Sequence, residues 1–159
     1  MSTPILPPPP RPAAGATPLA SIWRRAVGFL VDTVILVLLG VVLVSFVPTT
    51  TLTSMDFALL GVGDLAYWSL LVSYAGGTVG HHVAGIVPVD AVTGAPLDLG
   101  QSSLRGLFFA SSFFSEAVAP GITPAVEFLV WVSFLWCGWD GARQGLHDKA
   151  AGALVIRTR

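Results

Sequence analysis

Residues 26–47 read AVGFLVDTVILVLLGVVLVSFV, and the one charge among these 22 residues is Asp32. A lone carboxylate in so apolar a run can take up a proton, hold a small cation or answer a buried base. Arg25 stands seven residues earlier. At about 100° per helical residue the two fall within roughly 20° of one face. Two turns separate them, and helical side chains lean toward the amino terminus, so they share a stripe without touching. The basic partner expected for Asp32 is Arg105. A second acid, Asp64, interrupts an apolar stretch over residues 57–74. With helices antiparallel it lies about 10 Å from Asp32 in depth. It reads either as a second station on a proton or cation path, or as a group capping a kink at Gly61 or Gly63 or facing a polar interior.

Other chemistry is poorly served. His81 and His82, with His147 far along the chain, are too few and too mobile to predict a metal site. The segment GGTVG at 76–80 lacks the lysine and hydroxyl of a phosphate-binding loop. Ser111, Ser112 and Ser115 sit among phenylalanines and read as helix-packing residues. Glu116 and Glu127 are expected in solvent near an interface. With no nucleophile–base pair, an enzyme is the least expected class, and no cofactor is expected. No basic stripe suggests nucleic acid. Cys137 is the single cysteine, so an intramolecular disulfide is not available.

The elements that carry these residues are membrane segments. Only 11% of the chain is charged and 53% is apolar, against about 25% charged in ordinary soluble domains. A bilayer core roughly 30 Å thick needs about 20 helical residues, and residues 26–47 supply them. That run is also longer than the roughly 7–15 residues of a signal-peptide core. A second segment covers 57–74 and a last strong one 124–139. A shorter apolar stretch, 106–119, ends at Pro120-Gly121. Between them, residues 83–89 and 95–99 read as two strands around a turn at Thr93-Gly94, with Pro88 confining its strand to an edge; 153–158 is also strand-like and could join the same β element. Residues 1–20 hold seven prolines and read as a disordered tail ahead of a single membrane domain, 21–159. Trp23 suits an interfacial belt, with Arg24 and Arg25 snorkelling toward phosphates.

The expected fold is an all-α membrane bundle of about four hydrophobic segments, three to four of them crossing, with a small cytoplasmic β-hairpin. All eight Lys and Arg precede the first segment, stand at Arg105, or follow the last segment. The positive-inside rule then puts both termini in the cytoplasm and requires an even number of crossings, so that 106–119 crosses as well.

In this setting WRRAVGFLVD resembles the opening of the RDD family, small bacterial membrane proteins named for one arginine and two aspartates. Arg25 and Asp32 match the arginine and the first aspartate. The second resembles Asp148, within HDKAAGALVIR, and the connection GGTVGHHVAGIVPVDAVTGAPLDLGQSSLR is similar to the family's glycine-rich link, hairpin and following arginine, Arg105. His81 replaces a lysine common there, and Ala153 a threonine usual in the final strand. The resemblance implies a multi-pass protein of the bacterial plasma membrane, linked to transport and in some members to sodium/proton exchange.

Two functions follow as expectations. In one, the protein moves a proton or small cation, with Asp32 titrating. In the other it is a non-transporting accessory or assembly subunit of a larger membrane complex, and Arg25, Asp32, Arg105 and Asp148 form one buried network. Size favours the second for a monomer, whereas a homo-oligomer would let several copies enclose a path. The expected partners are the lipid bilayer and such copies or subunits.

Overall fold

The computed structural model describes residues 18–46 and 51–158. Most of the expected tail, including the proline run at 7–10, lies outside the described residues, as does part of the connection after the first helix.

Four long helices make the bundle. Helix α1 (Ile22–Val44) starts where Ser21 Oγ accepts the Arg24 N–H. Helix α2 (Ser54–Ala75) opens with a reciprocal Thr53/Asp56 cap and stops at Gly76, whose φ of 73° is left-handed. Short α3 (Val79–Ala84) leads into strand β1 (Ile86–Asp90). Helix α4 (Leu99–Val118) packs along α2, and a 3-10 turn at Pro120–Ile122 carries the chain into α5 (Thr123–Leu135). Short α6 (Leu146–Ala150) and strand β2 (Ala153–Arg157) follow.

Three helical stretches are long and apolar enough to cross a membrane: Ile22–Val44, Ser54–Ala75 and Pro120–Gly138. Their outward residues, among them Leu30, Leu38, Val41, Leu59 and Phe128, are exposed. Water would not tolerate so continuous an apolar surface. The fourth helix is longer than the apolar stretch 106–119 suggests. It begins at the Asp98 cap, where Gln101 returns a hydrogen bond, and its first two turns are polar but partly buried. At 1.5 Å per residue its 20 residues span about 30 Å.

The expected hairpin is corrected. The turn at Thr93-Gly94 is present, because the Asp90 carboxylate accepts from the Val92 and Thr93 N–H groups and Gly94 takes a φ of 72°. The chain leaving it, however, makes only an isolated Val89–Pro96 bridge and enters α4. Strand β1 pairs antiparallel with β2 instead, Pro88 opposite Val155. Residues 83–84 belong to α3, not to a strand. The other edge of β2 is met by the chain entering α1: Ala20 N–H bonds Val155 O at 2.9 Å, and Arg157 N–H bonds Pro18 O at 2.9 Å. Residues 18–20 are therefore part of the folded unit, and Ala20, Ala84, Ile86 and Val155 form a small core there.

Candidate functional site

The buried face of α1 consists of Arg25, Gly28 and Asp32, the stripe that helical periodicity predicts. Its two charged residues go to different partners. Arg25 Nη1 reaches Asp148 Oδ2 at 2.5 Å, and Arg105 Nε reaches Asp148 Oδ1 at 2.7 Å. One carboxylate from α6 thus joins the starts of α1 and α4. Arg25 also donates to Arg143 O at 2.6 Å. Arg143 has a φ of 52°, a left-handed conformation uncommon for a side-chain-bearing residue, and it turns this carbonyl to the guanidinium. Arg24 donates to Ala84 O at 2.7 Å. The two arginines therefore bind protein rather than snorkelling to phosphates, while Trp23 is exposed.

Burial alone would raise the Asp148 carboxyl, but protonated His147, Arg105 and Arg25 together hold it well below the usual range. His147 is itself driven down to about 4, by burial first and by the arginines, against the pull of Asp148. At neutral pH it is therefore uncharged, and the arginines do the holding. Ser133 Oγ accepts the His147 N–H at 2.9 Å and lies 2.9 Å from Nδ1. The hydroxyl proton then points to Nδ1, and Nε2–H faces Asp148 Oδ1 at 3.4 Å.

Asp32 meets no arginine, which corrects the pairing with Arg105. Its oxygens accept from Tyr67 OH at 2.6 Å, Thr78 Oγ1 at 2.6 Å and Gly80 N–H at 2.7 Å. Two glycines allow this. A Cβ on Gly80 would strike Gly28 O and the Asp32 carboxyl, and one on Gly28 would press on Gly80 O.

Thr78 and His81 link the two carboxylates. Thr78 Oγ1 lies 2.5 Å from His81 Nδ1, and His81 Nε2 faces Arg105 Nη1 and Nη2 at 3.5 Å. His81 is buried, and its pKa falls well below the usual value through burial and then Arg105. Each neutral tautomer satisfies one side. With the proton on Nδ1, Nε2 accepts from Arg105; with it on Nε2, Nδ1 accepts the Thr78 N–H at 3.1 Å. Asp32, Thr78, His81, Arg105 and Asp148 so form one continuous buried chain, which half-buried Tyr67 joins at Asp32. A cavity of about 20 Å³ lies among Arg25, Asp32, His81, Arg105 and His147, room for a single water.

Asp64 stands apart. It is 7% exposed, its Oδ2 has no hydrogen-bond partner, and neither has the Trp68 indole N–H, which lies near enough to interact with the carboxyl without closing a hydrogen bond of good geometry. It lines a second, open cavity of about 1020 Å³ between the latter half of α1 and helices α2, α4 and α5. Neither a kink cap nor a polar interior describes this position. Phe29, Trp68 and Phe109 line both cavities, with Trp68 stacked on Phe109 at 4.5 Å and Phe29 5.8 Å from Phe109. An aromatic layer thus separates Asp64 from Asp32.

Of the six candidates, Arg25, Arg105, Asp148 and His81 are brought into one cluster, Asp32 joins through Thr78, and Asp64 does not join. Residues not singled out are Tyr67, Thr78, Ser133 and the role of His147. Thr78 and His81 carried a signal, the spacing of a reciprocal helix cap. The histidines are not mobile, since His81 and His147 are both buried and held. Among the described residues no group of three His, Cys, Asp or Glu is placed to hold a metal.

A family model described as the RDD family matches residues 19–152, a stretch containing every residue of this site. Searches of curated proteins and of solved structures returned no match.

Proposed function

The chain belongs to the RDD family and is an integral membrane protein, and from that premise we propose that it conducts a proton or small cation across the bilayer. One observation carries this reading: two cavities, each with its own buried carboxylate, are divided by three aromatic rings. Asp64 receives the ion from the wider cavity. Movement of Phe29, Trp68 or Phe109 lets it pass, and Asp32 takes it up. From there Thr78 and the two tautomers of neutral His81 offer a route for a proton toward Asp148 at the other end of the bundle. Ionisable groups within membrane segments ordinarily mark such paths. The chain has no assigned chemical reaction in this reading; it is not an enzyme.

Four crossings fit the same picture. Residues 18–20, β1 and β2 are hydrogen-bonded together, which supports the entry to α1 and the segment after α5 lying on one side. An even number of crossings follows, with α4 as the fourth. The basic residues favour the cytoplasm of a bacterial plasma membrane for that side.

The accessory reading keeps one observation of its own. Asp148 ties Arg25 and Arg105, and so α1, α4 and α6, in an arrangement that could serve only to fix the fold. Flux into proteoliposomes carrying a pH-sensitive dye, under imposed sodium, potassium or proton gradients, separates the two. Transport predicts flux above the protein-free leak, abolished by Asp64→Asn and by Asp32→Asn in folded protein. Wild-type flux at the leak rate under every gradient would leave the accessory reading.

A further inference from the structure

The wide cavity is chemically one-sided. Its lining holds three carboxylates, Asp56, Asp64 and Glu127, and no lysine, arginine or histidine. Asp56 is engaged in the Thr53 cap, which leaves Asp64 and Glu127. Five aromatic rings also face it: Phe29, Trp68, Phe109, Phe113 and Trp131. Aliphatic side chains of α1, α2 and α5 complete the wall. The volume, about 1020 Å³, is at the upper end of the roughly 300–1,000 Å³ of small-molecule pockets.

We propose that this cavity binds a lipophilic organic cation, a protonated amine on an apolar or aromatic body, with its N–H donated to Asp64. The Oδ2 atom of Asp64 has no donor of its own, and a buried carboxylate oxygen without one is costly to maintain. An ammonium N–H supplies both the donor and the countercharge. The rings around it attract a cation over their faces, and the rest of the wall suits a hydrocarbon body. A phospholipid fits less well. Asp64 lies ten residues into α2, about 15 Å along the helix, far below headgroup level, and no base is present to meet a phosphate. The site shares Asp64 with the transport reading but does not rest on it, because binding at equilibrium needs no gradient and no passage through the aromatic layer.

Propranolol, a fluorescent naphthyl secondary amine, is a suitable probe, and 3-(1-naphthyloxy)propane-1,2-diol is its uncharged counterpart. Both are titrated into the full chain in nanodiscs of zwitterionic lipid, with empty nanodiscs subtracted. The amine should bind saturably and the diol weakly. Asp64→Asn should weaken the amine about tenfold or more, the loss expected of a charge-assisted hydrogen bond, and leave the diol unchanged. Gly63→Leu projects a side chain into the cavity beside Asp64 while keeping the carboxylate. A Cβ on Gly63 meets nothing within 4 Å, so this variant should fold and should weaken both ligands. The site is overturned if the amine does not saturate, if the diol binds as tightly, or if Gly63→Leu leaves amine binding intact. Unchanged amine affinity in folded Asp64→Asn overturns it as well. Failed amine binding with crosslinks between copies along α1 would identify a second copy as the occupant instead. Flux that survives any of these failures leaves the transport reading untouched.

Discussion

The backbone N–H of Gly80 reaches the Asp32 carboxylate at 2.7 Å across a contact with Gly28 that has no space for one more methyl group. Gly80→Ala should therefore separate α3 from α1 and break that hydrogen bond. The cost should be about 1–3 kcal/mol, the usual penalty of overpacking a close contact. Gly40→Ala is the control. It lies on the same helix as Gly28 with nothing within 4 Å of an added Cβ, and should be neutral or gain roughly 0.5–1 kcal/mol. Thermal unfolding in detergent compares them, and equal stabilities would refute the tight crossing.

Asp148 should matter more than either arginine it holds. Asp148→Asn leaves two buried guanidiniums facing a neutral group, at about 3–5 kcal/mol. Arg105→Gln leaves the Arg25–Asp148 pair intact and should cost clearly less. A double-mutant cycle should couple Asp148 with Arg105 by more than about 1 kcal/mol and Asp32 with Arg105 by far less. A larger cost for Arg105→Gln than for Asp148→Asn would contradict the shared carboxylate.

Stability should fall as the medium is acidified well before carboxylates titrate. The folded His147 titrates near 4 against its usual 6.5, so between these values the unfolded chain binds the extra proton. Its contribution is complete above pH 6.5 and is lost progressively toward pH 4, by about 3 kcal/mol. His81 shifts in the same direction and steepens the slope. Asp148, held low by its neighbours, adds its loss only below about pH 4. Melting temperature followed from pH 7 to 4.5 should decline, and His147→Asn should flatten part of the decline. A level profile for the wild type would argue against a buried neutral His147.

Reporter fusions before Pro18 and after Arg159 should both report the cytoplasm. Reporters on opposite faces would remove α4 from the crossing helices.

What could be read in advance was local. The Arg25 and Asp32 stripe follows from helical periodicity, and the turn at Thr93-Gly94 from its residue types. Pairing was harder to read. Arg25 and Asp148 are separated by 123 positions, and nothing in either segment alone names the other; only the family resemblance put Arg25, Arg105 and Asp148 in one list. It could not say that Asp32 would be served by hydroxyls and a glycine N–H instead. The main partner of the strand at 86–90 is hidden for the same reason, since the nearby turn points to 95–99 while β2 lies more than sixty positions on. The start of helix α4 is masked by its polar opening residues, although Ser102 and Arg105 are buried against other parts of the protein.

The pairing of β2 with both β1 and the entry to α1 has a consequence for biogenesis. A ribosome delivers Asp148 and β2 only after all four long helices have emerged. Until then Arg25 and Arg105 sit in the nascent bundle without their shared counterion, and the chain beside Ala20 has no strand to join. Insertion and closure are thus separate events, with closure waiting on a short segment made late. Any nonsense change between α5 and Asp148 would leave the helices inserted but unlatched, a natural substrate for membrane quality control.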